Sequence, residues 1–176
     1  MSAVKRVRGG GVSVRLEPEE AALVRALMEQ LLALLDQDAP GPGDELAAVG
    51  ISERTSPPDD PVLARLFPDG YRGDDRAAGE FRRYTEMGLR DGKREAARTV
   101  LKTLDRGPRP VLDDEEAQTW LRALNDVRLA LGTRLDITEE WYEQAAELDP
   151  ADPRTPMYAA YDWLTMLQES LVRAVW

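Results

Sequence analysis

The sequence predicts a mainly α-helical fold: a helical bundle of about five to six helices with a small N-terminal β-hairpin. Apolar residues recur three or four positions apart through most of the chain, the spacing that places them on one face of a helix. Near the N-terminus they instead alternate with polar residues beside a run of glycines, which is typical of two strands and a turn. Because 43% of the 176 residues are hydrophobic, the chain has enough apolar surface for one core, and we expect a single domain over residues 1–176.

The predicted hairpin covers residues 1–16. Val12, Val14 and Leu16 alternate along its second strand, and the glycines of residues 9–11 supply the turn. Further along the chain, Val111 and Leu112 are expected to add a short strand beside it.

The first predicted helix runs from Pro18 to about Gln37. Proline is favoured in a first turn, and leucines then repeat at helical spacing on one face. Residues 39–58 are rich in proline and glycine and contain few apolar side chains, so we expect a surface loop, flexible in part.

A long helix is predicted over residues 75–104, after a short helical turn over residues 62–67. Gly88 and Gly92 lie four residues apart in it, on one face, which favours either close approach of another helix or a kink. Its expected buried side consists of Phe81, Tyr84, Leu89, Ala96, Val100, Leu101 and Leu104.

The C-terminal part of the chain predicts three further helices. The first begins with a capping pattern at Asp113 and Glu116 and ends at Gly132, a residue type preferred just after a helix. A short helix is expected over residues 138–149. The last helix is expected from Thr155 to the C-terminus.

Composition excludes most enzyme chemistries. The chain has no cysteine and no histidine, so it lacks a thiolate, the commonest general base and the commonest metal ligands. The glycines of residues 9–11 are not followed by the lysine and helix of a phosphate-binding loop. We therefore expect no enzyme activity, no catalytic residue, no cofactor and no metal.

Charge and hydropathy limit the class of partner. The net charge is −10, although Lys5, Arg6, Arg8 and Arg15 make the first sixteen residues basic. An acidic body repels phosphate, so we expect no direct sequence-specific DNA binding. No apolar run is long enough for a signal peptide or a membrane span, so we expect a cytoplasmic protein that works without a membrane.

Paired carboxylates occur at residues 59–60, 74–75, 113–114 and 139–140. All lie at predicted loops or helix starts, where such groups cap helices and complement the helix dipole. Capping or solvation is the favoured interpretation. A carboxylate-based hydrolase using Asp74, Asp113 or Asp126 is the alternative.

Two polar patches are candidate partner-binding surfaces. Asn125 and Asp126 interrupt an apolar helix where such residues are unfavourable. They either contact a partner, or hydrogen-bond a neighbouring loop or the final helix. The candidate binding residues are Arg122, Asn125, Asp126, Arg128 and Arg134, with the basic hairpin residues Lys5, Arg6 and Arg8 as a second set.

Several stretches resemble a known family. They are "EPEEAALVRALMEQLLALL", "DDPVLARLFPDGYRGDDRAAGEFRRYTE", "LRDGKREAARTVL", "WLRALNDVRLALGTRL" and "YDWLTMLQESLVRAVW", which together cover nearly the whole chain. They are similar to an actinobacterial domain-of-unknown-function family that is also called the oxidative-stress-responsive transcriptional regulator (AosR) family.

The resemblance implies a cytoplasmic regulator that binds a stress sigma factor or RNA polymerase and promotes genes for oxidant defence and cysteine biosynthesis. It also implies a switch made of two closely spaced cysteines, which this cysteine-free sequence lacks. An interaction or adaptor protein linked to Clp proteolysis or sulfur-carrier metabolism is the alternative function. A homodimer formed through the final helix, which ends in Trp176, also stays open.

Overall fold

The computed structural model describes residues 2–37 and 43–176 and confirms a mainly α-helical fold with a small sheet near the N-terminus. The elements of this part of the chain are β1 (Ala3–Arg6), β2 (Val12–Arg15), α1 (Pro18–Asp36), α2 (Glu45–Ala48), α3 (Pro61–Leu66), α4 (Asp75–Leu104), β3 (Val111–Leu112), α5 (Asp114–Arg134), α6 (Trp141–Ala146) and α7 (Thr155–Val175).

The seven helices of the described chain include one that the sequence analysis missed. Helix α2 lies inside the predicted loop of residues 39–58, of which residues 39–42 fall outside the described residues. The side chain of Asp44 accepts hydrogen bonds from the backbone N–H groups of Leu46 and Ala47, which nucleates this single turn. A helix of four residues is too short to show an apolar repeat, so the hydrophobic spacing did not predict it.

The three strands form one antiparallel sheet in the order β1-β2-β3. Val4 pairs with Val14 and Val12 pairs with Leu112, so the predicted hairpin and the predicted third strand are both confirmed. Gly11 is required at the turn because its φ is +84° and a Cβ there would lie 2.5 Å from the carbonyl oxygen of Leu112.

Helix α5 is the central element of the bundle, since α1, α3, α4 and α7 all pack against it. It begins with the predicted capping box, in which the Asp113 carboxylate accepts from the N–H of Glu116 at 2.7 Å. Trp120 and Leu124 are fully buried in it. The indole Nε1–H of Trp120 donates to the hydroxyl of Thr103 on α4 at 2.8 Å, which satisfies a polar group inside the core.

The predicted end of this helix at Gly132 was wrong, because α5 continues to Arg134. Gly132 serves a packing role instead. A Cβ at this position would lie 3.3 Å from a ring carbon of Tyr161, so glycine lets α7 approach α5 closely.

The buried side predicted for α4 is confirmed for Ala96, Val100 and Leu104 but was wrong in the first half of the helix. There the aromatic and leucine side chains face solvent: Phe81 is 43% exposed, Tyr84 63% and Leu89 49%. The buried positions of this half are Ala78 and Gly79 near its start, followed by the charged residues Arg82, Glu86 and Arg90.

Charged residues are buried in α4 because distant polar groups pair with them. Arg82 forms an ion pair with Asp69 at 3.0 Å, and Glu86 lies 3.5 Å from the guanidinium of Arg54. Arg90 donates to the carbonyl oxygens of Leu35 and Gln37 at the C-terminal end of α1. These contacts are long-range in sequence, so helical periodicity alone assigns the wrong face.

The last turn of α1 contains no basic residue of its own. Besides Arg90, Arg94 of α4 reaches this end and bonds Asp36 at 3.0 Å and the Leu35 carbonyl at 3.2 Å. Cations at a helix C-terminus satisfy its free carbonyls and complement the helix dipole. Helix α4 thereby fixes the end of α1.

We predict that Thr103→Val destabilises the protein by about 1–3 kcal/mol. The substitution preserves shape but leaves the buried Trp120 N–H without an acceptor. Urea unfolding followed by tryptophan fluorescence measures the change in the free energy of unfolding. The matched control is Thr99→Val, a half-buried position on the same helix, which we expect to change this free energy by less than about 0.5 kcal/mol. Equal effects of the two substitutions would contradict the assigned role of the hydroxyl.

Candidate functional site

Helices α4 and α5 lie antiparallel, with an open groove along one side of their contact. Thr103 meets Trp120 near one end, and Lys93 meets Asp126 toward the other. The groove has a volume of about 560 Å³. Its lining residues are Gly88, Leu89, Gly92, Lys93 and Ala96 of α4 together with Arg122, Asn125 and Asp126 of α5.

The two glycines make this groove accessible at the level of the backbone. A Cβ built on Gly88 or Gly92 would have no heavy atom within 4 Å. Helix α4 continues through both glycines, and no other helix of the described chain covers them. The close approach of a helix predicted from their spacing is therefore not satisfied within the described chain, and the surface stays open to a partner.

Asp126 forms the buried end of the groove. It is 4% exposed, and one carboxylate oxygen lies 2.7 Å from Nζ of Lys93. Burial raises the pKa of this carboxyl above its ordinary 3.8, and the hydrogen bond and charge of Lys93 offset part of that increase. The ion pair therefore joins α4 to α5 inside the fold, rather than joining α5 to a loop or to the final helix.

Arg122 and Asn125 lie at the exposed rim of the same groove. The guanidinium of Arg122 donates to the hydroxyl of Thr119 at 3.0 Å, which orients it along the helix surface. Of the five candidates predicted on this helix, Arg122, Asn125 and Asp126 thus converge on one groove.

Arg128 and Arg134 are placed elsewhere. Arg128 turns toward α7, where it bonds Thr165 at 3.1 Å and Gln168 at 2.8 Å, and its guanidinium lies 5.5 Å from the centre of the Tyr161 ring. Arg128 therefore joins two helices of this chain. Arg134 is exposed at the rim of a separate cleft between α1 and α7.

The basic hairpin is divided between a structural and an exposed part. Arg6 donates to the carbonyl oxygens of Ala174 and Val175 at 3.2 and 3.1 Å, so it caps the C-terminal end of α7. Lys5 and Arg8 are exposed. They remain a second candidate contact surface.

Sequence reasoning missed the apolar part of the site. Phe81, Tyr84 and Leu89 are exposed on α4, where Phe81, Tyr84 and Gly88 follow one another at spacings of three and four residues. Leu89 itself lines the groove. A signal existed in the sequence, because the charged residues Arg82, Glu86 and Arg90 form an equally regular stripe on the other face, but periodicity did not show which stripe is buried.

Two of the carboxylates considered for hydrolysis are helix caps. Asp74 accepts from the N–H of Ala77 at 3.0 Å, and Asp113 caps α5. Over residues 2–37 and 43–176, no group of three or more acidic side chains is placed to hold a metal ion. The same residues contain no helix long and apolar enough to span a bilayer.

The fold and this groove define a mainly α-helical protein with an open surface site between two helices. Residues 1–175 match DUF2017, a family described as a domain of unknown function. Over 174 residues the chain is 38% identical to proteins named oxidative stress regulator AosR in Mycobacterium bovis and Mycobacterium tuberculosis, covering 89% of this chain and 78% of each relative. A Mycobacterium leprae relative is also 38% identical, over 90% of this chain and 79% of its own length. No solved structure matches the chain. The chain belongs to the DUF2017 family.

We predict a characteristic pH dependence for Asp126→Asn. Because the folded-state pKa of Asp126 is raised, the folded protein binds the proton more tightly than the unfolded chain does, and stability from this group falls as pH rises above about 3.8. The free energy of unfolding of the wild type minus that of the variant should therefore decrease from acid toward neutral pH. Urea titrations at several pH values measure this difference.

Lys93→Met is the companion variant. It removes the opposing charge, so the loss of stability between acid and neutral pH should be larger than in the wild type. A wild-type minus Asp126→Asn difference that increases with pH would contradict this account, since it would mean that the ion pair outweighs burial.

Proposed function

We propose that this protein is a non-enzymatic regulator of the oxidative-stress response that acts by binding a protein partner through the α4–α5 groove. The proposed partner is a stress sigma factor or RNA polymerase, and the proposed targets are genes for oxidant defence and cysteine biosynthesis. The relatives' names support the regulatory role. The observation that carries the proposal is the open surface over Gly88 and Gly92.

The groove suits a helix of the partner. Two glycines four residues apart allow a second helix to approach α4 closely, and Leu89, Phe81 and Tyr84 offer exposed apolar area beside them. Exposed aromatic side chains are frequent energetic centres of interfaces. Arg122 at the rim supplies a cation for an acidic residue of the partner.

Contact between the α4–α5 groove and the proposed partner requires no thiol. The sequence contains no cysteine, so the disulfide switch implied by the family resemblance has no counterpart here. The residues that line the groove form it without any disulfide bond. Binding is therefore proposed to be constitutive with respect to peroxide.

Filling the groove tests the proposal. We expect Gly92→Leu to weaken binding to the purified stress sigma factor or polymerase by about 10–100-fold, since its side chain enters the space reserved for the partner helix. Leucine is a better helix former than glycine, so the fold should be retained. The affinity is measured by calorimetry at several salt concentrations.

The matched control is Ala33→Leu, which adds a similar side chain at an exposed position of α1 away from the groove. The affinity of this control for the sigma factor or polymerase should equal that of the wild type.

Two outcomes would contradict the proposal. If Gly92→Leu binds normally while the double charge reversal Lys5→Glu and Arg8→Glu abolishes binding, the contact lies on the hairpin. No binding of the wild type to any sigma factor or to polymerase, with recovery of a Clp component or a sulfur carrier from lysate, would favour the adaptor function instead.

A further inference from the structure

A second cleft lies on a different face of α5, between α1 and α7. These two helices touch where the indole N–H of Trp163 donates to Glu20 at 3.2 Å, and they make little other contact within the described chain. Toward the C-terminal end of α1 and the N-terminal end of α7, a cleft of about 400 Å³ opens above α5. Small-molecule sites typically have volumes of about 300–1,000 Å³.

The walls of this cleft are almost entirely apolar. Leu27 and Leu31 come from α1, Ala130 from the floor, and Met157 and Ala160 from α7. The lining residues include no carboxylate, although the chain as a whole carries a net charge of −10. An apolar wall without acidic groups is unusual on such a surface and favours an alkyl chain as the occupant.

Arg134 supplies the one cation among the lining residues. It is exposed in the last turn of α5, and its guanidinium has neither an ion-pair partner nor a hydrogen-bond partner in the described chain. The first turn of α7 borders the same cleft, but the Asp152 carboxylate accepts from the backbone N–H of its N-cap residue Arg154 at 2.8 Å, so the positive charge at the cleft comes from Arg134. The charge at the mouth therefore complements an anion.

We propose that this cleft binds a small anionic amphiphile, a carboxylate with an alkyl chain of medium length. The chain lies between α1 and α7 on Ala130, and the carboxylate pairs with Arg134 at the mouth. The occupant is taken to be a small molecule because the volume of the cleft lies within the range typical of small-molecule sites and its apolar walls lead to one cation. The site does not depend on the α4–α5 groove.

Calorimetric titration of decanoate into the full chain, below the micelle concentration, tests the proposal. We expect saturable binding of one decanoate per chain. Arg134→Gln should weaken it by 10-fold or more, because the carboxylate loses its counter-charge, and decanol should bind the wild type about as weakly. Ala160→Leu should abolish binding by filling the cleft. Arg122→Gln, which removes an exposed arginine from the other groove of α5, should leave the affinity unchanged.

Three outcomes would overturn the proposal. They are no saturable binding of decanoate to the wild type, equal affinity in the wild type and Arg134→Gln, and self-association of the chain that Ala160→Leu abolishes, which would make a second copy the occupant. Arg134 is exposed and has no partner among residues 2–37 and 43–176, so we expect Arg134→Gln to fold normally and to keep the test decisive even if Ala160→Leu is unstable.

Discussion

The burial of α5 is the constraint on which the rest of the structure depends. Four other helices pack against it, so the polar groups on its buried face must find hydrogen-bond partners within the protein. Trp120 does so through Thr103, and Asp126 does so through Lys93. Both partners are on α4, and together they set the register of the antiparallel helices α4 and α5. The groove follows from this register, because Lys93 approaches α5 beside Gly92, where α4 has no side chain to close the gap.

Helix α4 serves two surfaces at once. Its inner face carries charged residues that hold α1 and the segment around α3 in place, among them Arg90 and Arg94 at the end of α1. Its outer face therefore presents the apolar side chains Phe81, Tyr84 and Leu89 to solvent. Burying a charged side chain is strongly unfavourable unless a partner neutralises it. Because the charged face of α4 is paired and buried, its apolar residues lie on the face that is exposed to solvent. The same division explains how an acidic protein comes to have aromatic side chains exposed on this helix.

Local signals predicted much of this fold, and long-range pairing accounts for the parts they missed. The capping box at Asp113 and the spacing of Trp120 and Leu124 are properties of neighbouring residues, so the start and buried face of α5 were predictable. The buried face of the first half of α4 was not, because its charges are neutralised by groups such as Asp69 that are distant in sequence. Asn125 and Asp126 lie together in one groove, and their contact with a partner stays a prediction. The sequence did not show that Arg128 bonds α7.

The central claim is that the α4–α5 groove, and not a thiol, makes the contact with the partner. Hydrogen-exchange mass spectrometry of the protein alone and mixed with the proposed partner, a stress sigma factor, with and without peroxide, tests it most directly. The account predicts slower exchange in residues 88–96 and 122–126 on binding, to the same extent in both conditions. Protection confined to residues 2–16 or to α7, or protection that appears only after peroxide, would contradict it.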